Sequence, residues 1–235
     1  MSEREGSQAS TPASERTRVR RLPARGFYER EQVHAILDST PLGHLGFIDD
    51  GHPYVLPVLQ ARVGELLYIH GSAAARWVRL LAAGARACLT VSTIDAYVLG
   101  RSVQKHSVNY RSVTVLGSAQ AITEEVAKRA ALQAFMEQIV PGRWAEVRAP
   151  DERELKAVAI LSLPLAECSA KIRAGGPNDL QQDLDSDVWA GVLPLRSAAG
   201  EPRADGRLRA DAPLSAAVLA LCQRIEAMRP PDGHL

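Results

Sequence analysis

Apolar residues recur with helical spacing at Val33, Ile36 and Leu37 of "REQVHAILD", and the run stops ahead of Pro41 and Gly43. That pattern predicts a short amphipathic helix. The period then changes. "GHLGFIDDGHPYVLPVLQARVGELLYIHG" consists of short apolar runs divided by "DDGHP" and "RVGE", both turn chemistry, and it reads as three consecutive antiparallel strands. "SAAARWVRLLAAG" predicts a helix starting at Ser72, with Trp77, Leu80 and Leu81 on one face and Gly84 as its stop. "RACLTVS", "AYVLG" and "HSVNYRSVTVLGSAQAI" return to strand character. In the last of these, period two puts Val108, Tyr110, Ser112, Thr114 and Leu116 on one face and Ser107, Asn109, Arg111, Val113 and Val115 on the other. A longer helix follows, with Thr123 as N-cap, Glu124 and Glu125 suited to the first-turn dipole, and a stripe of Leu132, Phe135, Met136, Ile139 and Val140 ended by "PGRW". "AVAILSLPL" and "ECSAKIRAG" predict two more strands, followed by the acidic loop "GPNDLQQDLDSD" and by "VWAGVLPL". The chain closes on a helix over "LSAAVLALCQRIEAM", with Leu214, Val218, Leu221 and Ile225 in register. Strands outnumber helices and arrive in hairpin-like series. The expected fold class is mainly β with helices (α+β), a closed or nearly closed antiparallel barrel with helical decoration.

Polarity divides the chain into three parts. Residues 1–19 read as a disordered tail, 20–196 as one barrel domain, and 197–235 as a polar, Arg/Ala-rich extension ending in a helix. At 235 residues the chain can bury a core without staples. A formal charge of +1 makes no strong demand for nucleic acid or an anionic membrane. The arginine-rich "TRVRRLPARG" reads as a solvated arm or one packed on a partner subunit, with nucleic-acid binding the weaker alternative. Cys88, Cys168 and Cys222 lie far apart with no CxxC, which suits a reducing compartment. No secretory h-region and no apolar run of about 20 residues is present, so a cytoplasmic protein without a membrane span is expected.

Two stretches carry candidate chemistry. At the expected helix start, first-turn N–H groups and the helix dipole favour an anion, Gly71 permits close backbone approach, Ser72 offers a hydroxyl and Arg76 a charged donor. The same residues would also make an ordinary capped helix beside a solvated arginine. In "KHSVNYRSV", Asn109 and Arg111 can reach a polar planar group from one face and Ser112 can hydrogen-bond from the other; a strand with one wet side fits as well. No P-loop, GxGxxG or GxSxG is present. The histidines His34, His44, His52, His70, His106 and His234 show no HxH or HExxH spacing, so no metal centre is expected, although a single histidine could ligate haem. The aspartates of loop 179–187 read as solvated, with a divalent ion as the alternative.

Taken in order, "RLPARGFYEREQVHAILDST", "GHLGFIDDGHPYVLP", "LYIHGSAAARW", "VLGRSVQKHSVNYRSVTVLG", "PGRW", "SAKIRAGGPND" and "VWAGVLPL" resemble the pyridoxamine 5'-phosphate oxidase-like family, in its flavin-nucleotide-binding branch, to which nitroimidazole-resistance proteins are related. The resemblance runs from Arg20 to Leu195 and extends weakly into "RLRADAPL". It implies a six-stranded split barrel that dimerises with two FMN molecules at the interface. It also implies a phosphate held near His70, Gly71, Ser72 and Arg76, a flavin ring against the backbone at Val55, Pro57 and Val58, further contacts from Asn109, Arg111 and Ser112, and Trp189 close by. Two departures matter. Where the oxidase has a Ser-Arg-Lys run, this chain has Ala75, Arg76 and Trp77, and no Arg/His substrate motif follows Trp189. The implied function is an FMN-dependent oxidoreductase acting on a small molecule other than pyridoxamine 5'-phosphate. His70 and His106 are its candidate proton-transfer residues, because imidazole titrates near neutral pH. The alternative is a carrier that binds flavin or haem without turnover.

Overall fold

In the computed structural model, which describes residues 11–209 and 212–227, the alternating segment 42–72 folds as an antiparallel meander. Ahead of it come the two-residue β1 (Gly26–Phe27) and helix α1 (Arg30–Asp38). The meander is β2 (Leu42–Asp49), β3 (His52–Val63) and β4 (Leu66–Ser72). Its first turn is Asp50-Gly51, with φ of 50° and 75° and Asp49 paired to His52. Two left-handed residues in a two-residue loop match the twist of the flanking strands, and an Asp-Gly pair meets that demand. Helix α2 (Arg76–Ala82) follows and Gly84 ends it at φ 92°. The remaining elements are β5 (Arg86–Leu99), β6 (Ser107–Ser118), β7 (Gln120–Ala121), α3 (Glu125–Ile139), α4 (Arg143–Glu146), α5 (Glu152–Ala157), β8 (Val158–Pro164), β9 (Glu167–Arg173), β10 (Gly191–Pro194) and α6 (Ala216–Ala227).

The strands make one antiparallel sheet in the order β1-β9-β6-β5-β2-β3-β4-β8-β7, with β10 also on β5. The mainly β, α+β class holds, but the strand count departs from six: the described residues form ten strands along an open path. Three of the ten are short additions of 2, 2 and 4 residues, namely β1, β7 and β10. "RACLTVS" and "AYVLG" are halves of one 14-residue strand whose register with β6 breaks between Ile94 and Ala96. On its other edge β5 pairs with β2 over residues 87–90 and with β10 over residues 96–99.

Inward-facing Leu45, Leu67, Ile69, Leu89, Val91, Val113, Val115, Leu161 and Leu163 build the core, and Val33, Ile36 and Leu37 of α1 insert into it. Each such side chain contributes about 1.5–3 kcal/mol on burial, so α1 is held by its apolar stripe rather than by its propensity. Helix α3 begins one residue later than Thr123 implies. The Glu124 carboxylate is the cap, accepting from the Val126 and Ala127 N–H groups at 3.0 and 2.6 Å. Helix α5, absent from the sequence reading, starts on a capping box between Asp151 and Glu154.

The N-terminal end of the described chain is tied to the sheet and the C-terminal end to its helices. Thr17 is buried, Arg16 pairs with Glu167 of β9, and the Val19 N–H donates to the Tyr28 hydroxyl at 2.9 Å. Residues 1–10 of the expected tail and His234 lie outside the described residues. The C-terminal extension docks through α6: Arg224 donates to the Gln138 carbonyl at 2.8 Å, and Glu146 accepts from the Ser215 hydroxyl and the Ala217 N–H.

Candidate functional site

Strand β4 brings His70 and Gly71 to the corner with α2. Alternation turns Leu67 and Ile69 to the core and His70 to the opposite face, where its ring meets Phe135 of α3 edge-on at 4.7 Å. Burial pushes the imidazole below its ordinary titration range, so it is neutral near pH 7. Its Nδ1 is buried with no hydrogen-bond partner. The ring borders a cavity of about 360 Å³ lined by Gly71, Ser72, Glu154, Ala157 and Val158.

The rest of that corner corrects the sequence reading. Ser72 is the last residue of β4, laddered to Val158, and not a helix cap. Helix α2 is seven residues long and starts at Arg76, after Ala75 with no side-chain cap. Close approach at Gly71 is taken by the protein itself, since a Cβ there would stand 2.5 Å from the Trp77 ring. Arg76 lies 5.1 Å from the Tyr54 ring centroid and ion-pairs with Asp49. A hydrogen bond with Tyr54, then the Asp49 charge, hold its pKa up. Its side chain remains 64% exposed, which leaves room for an anion to exchange with Asp49.

On β6 the face assignment holds and its meaning changes. Asn109 and Arg111 share the inward face with Val113 and Val115. Asn109 is fully buried; its Oδ1 accepts from Arg173, and its Nδ2 has no partner. Arg111 grips Asp95 through two bonds of 2.9 and 2.8 Å. Asp95 sits at the register break of β5, and nothing in the sequence reading singled it out. A lone acid inside "STIDAYV" was the available signal. Ser112, on the outward face, donates to the Lys171 carbonyl at 3.2 Å.

The outward face of β2 and β3 presents Leu42, Ile48, Val55 and Leu59 to solvent, with Val55 66% exposed and Pro57 exposed beside it. Val58 is the exception among the three expected at the flavin: its side chain turns into the core, so only its backbone could meet a ligand on that face. Trp189 is 66% exposed, with its ring over Gly191. His106 is exposed, its Nδ1 3.0 Å from the Ser102 carbonyl. In sheet order the His70–Arg76 set on β4–α2 and the Asn109–Ser112 set on β6 are separated by β5, β2 and β3. In the acidic loop, Asp179 is not solvated: it accepts from the Arg101 N–H and guanidinium, both at 2.9 Å, and these bonds hold its carboxyl below the usual range. Among the described residues no helix is long and apolar enough to cross a membrane.

Residues 29–172 match the family model described as pyridoxamine 5'-phosphate oxidase. The chain belongs to the pyridoxamine 5'-phosphate oxidase-like family. It is similar to the flavocytochrome Anf3 from Azotobacter vinelandii, at 38% identity over 90% of this chain and 98% of that one, with a TM-score of 0.85. The FAD and haem binding protein from Mycobacterium smegmatis is 36% identical over 84% of this chain and 97% of its own, at a TM-score of 0.82. A candidate 5-nitroimidazole antibiotic resistance protein from Bacteroides thetaiotaomicron shares the fold at 19% identity, covering 63% of this chain and 86% of that one, with a TM-score of 0.54. Comparison with curated proteins gives no match.

Proposed function

We propose that this chain is a redox protein that binds a flavin and a haem, with the flavin seated between two copies of the chain. The observation that carries the reading is the likeness, over nearly their whole length, to a flavocytochrome and to an FAD and haem binding protein at 38% and 36% identity. The second of these favours FAD over the FMN that the family resemblance implies. Bound flavin supplies two-electron chemistry and bound haem one-electron chemistry.

The residues present fit both groups. A neutral imidazole on a cavity wall is the form that ligates iron, and His70 meets that description. For the flavin, Arg76 is the exposed cation that can take a phosphate, without the flanking Ser and Lys donors of the oxidase. The apolar outward row of Leu42, Val55, Pro57 and Leu59 suits one face of a planar ring. The shared site follows from the family resemblance, in which the β4–α2 corner and the outward face of β6, here Ser112, serve one flavin between two copies. Oxidation of pyridoxamine 5'-phosphate is not part of this reading, because no Arg/His substrate motif follows Trp189.

The test is the absorption spectrum of the full chain produced with haem and flavin in supply, together with chromatography of the flavin released by acid. FAD with a Soret band is expected, and His70→Ala should abolish the Soret band while flavin stays bound. A colourless chain that takes up neither group would overturn the proposal. A monomeric mass with flavin still bound would overturn the shared site. Both cofactors without turnover of any reductant would leave a carrier in place of an oxidoreductase.

A further inference from the structure

On the outward side of the meander, β2 and β3 face each other in three successive pairs: Leu42 with Leu59, His44 with Pro57 and Gly46 with Val55. The Gln60 N–H donates to the Pro41 carbonyl at 2.8 Å, so the backbone groups of even-numbered β3 residues point at β2. Each of the three pairs therefore lies between bonded pairs, where facing side chains stand closest. None of the six positions carries a carboxylate, ammonium or guanidinium. His44 alone among them has a side chain that can donate a hydrogen bond. It is exposed, and its ring has no hydrogen-bond partner among the described residues.

Gly46, beside it on the same face, is bare for no reason internal to the fold. It lies inside an eight-residue strand and is paired on both sides, to Val55 and to Cys88. Its φ is not left-handed, and a Cβ there would stand 3.4 Å from the nearest atom, the Cys88 carbonyl oxygen, which is an ordinary contact. At Gly71, by contrast, the Trp77 ring already fills the space. A glycine inside a strand weakens it and often marks where a ligand comes close to the backbone.

These two positions flank the row that suits the flavin ring. Successive residues on one face of a strand are about 7 Å apart, and three fused rings are longer than one such step. A ring laid on Val55 and Pro57 therefore also covers Gly46 and has His44 at its edge. We propose that His44 is a cofactor contact, its imidazole N–H donating to the polar edge of a flavin ring that lies over Gly46. A donor in that place stabilises the electron density that reduction adds to the ring, so His44 would set the potential of the bound flavin. The inference rests on the flavin seat proposed above and adds to it the residue that tunes the ring.

The test uses the full chain loaded with FAD, and reads flavin affinity, the urea midpoint and the midpoint potential of the bound flavin. His44→Phe should stay folded and hold flavin at a lower potential. His44→Gln keeps a donor and should return the potential toward that of the unmodified chain, which a merely structural role would not do. Gly46→Ala puts a methyl group into the ring seat without crowding the protein, so flavin affinity should fall about tenfold while the urea midpoint holds or rises. An unchanged potential in His44→Phe, or one that His44→Gln fails to restore, would overturn the role of His44. Unchanged affinity in Gly46→Ala would overturn the seat over β2. In both cases the flavin is still bound, so the redox reading stands while this inference falls. If the unmodified chain takes up no flavin, the redox reading fails and takes this inference with it.

Discussion

The corner between β4 and α2 and the pair across β5 and β6 both present an arginine beside an apolar strand, yet they hold it in opposite states. At the corner, Arg76 is largely in solvent, its ion pair with Asp49 open to exchange, and the neighbouring His70 has a nitrogen with no partner. At β5–β6, Arg111 and Asp95 are mostly buried and spend their hydrogen-bonding capacity on each other. Residue type alone cannot separate these cases. A charged group is available to a ligand when it is itself solvated, as Arg76 is, and consumed when both partners are buried and joined by two bonds.

The sharpest way to break this contrast is to remove Asp95. Asp95→Ala leaves the Arg111 charge buried without a partner, and a loss of about 3–5 kcal/mol is expected, read as a fall in the urea midpoint at constant slope. Asp95→Ala with Arg111→Met should recover most of it, since an apolar pair of similar size carries no desolvation penalty. If the single variant is neutral, the pair is not the structural lock described. At the corner, Gly71→Ala drives a methyl group into the Trp77 ring, and overpacking of this kind costs about 1–3 kcal/mol. Trp77→Phe in the same chain should return part of that stability. Full stability in Gly71→Ala would mean that the corner is looser than its packing implies.

Much of this contrast is invisible in the sequence, for a definite reason. Periods of 2 and 3.6 are local, so the β2–β4 meander, α1 and the two faces of β6 could all be read directly from residues such as Val33, Leu45 and Val113. The ordered motifs likewise carried the family likeness. What escaped were partners set by long-range pairing. Ser72 has the composition of a helix cap, but its ladder to Val158, far along the chain, keeps it in β4. Arg111 finds Asp95 only through the pairing of β5 with β6, beside the register break at Ile94/Ala96. Val58 shares a strand with Val55 and Pro57, and parity alone turns its side chain away from them. The identity of the flavin is likewise beyond strand pattern and spacing.

A smaller effect on folding, and a diagnostic one for binding, is expected at Arg76. Arg76→Gln should lower the urea midpoint only modestly, because Arg76 is exposed although its partner Asp49 is mostly buried. Flavin affinity should fall about tenfold, the scale of one charge-assisted contact. A stable variant with unaltered flavin affinity would remove the phosphate from this corner.

The smallest effect concerns His70 and its sign can be worked out. Burial lowers its pKa below 6.5 in the folded chain, and in the unfolded chain it regains the ordinary value. Well above pH 6.5 neither state binds the proton, so His70 adds no pH dependence there. As pH falls below that value, the unfolded chain takes up a proton that the folded one refuses, and stability declines. The decline from this group ends once pH drops below the folded pKa. Urea midpoints measured from pH 7 downward should therefore fall less steeply in His70→Phe than in the unmodified chain; equal slopes would mean that the ring is not desolvated. If the same ring ligates iron, protonation competes with ligation. The Soret band should then weaken only in acid, at pH below the folded-state pKa of the unligated ring, while flavin absorbance persists.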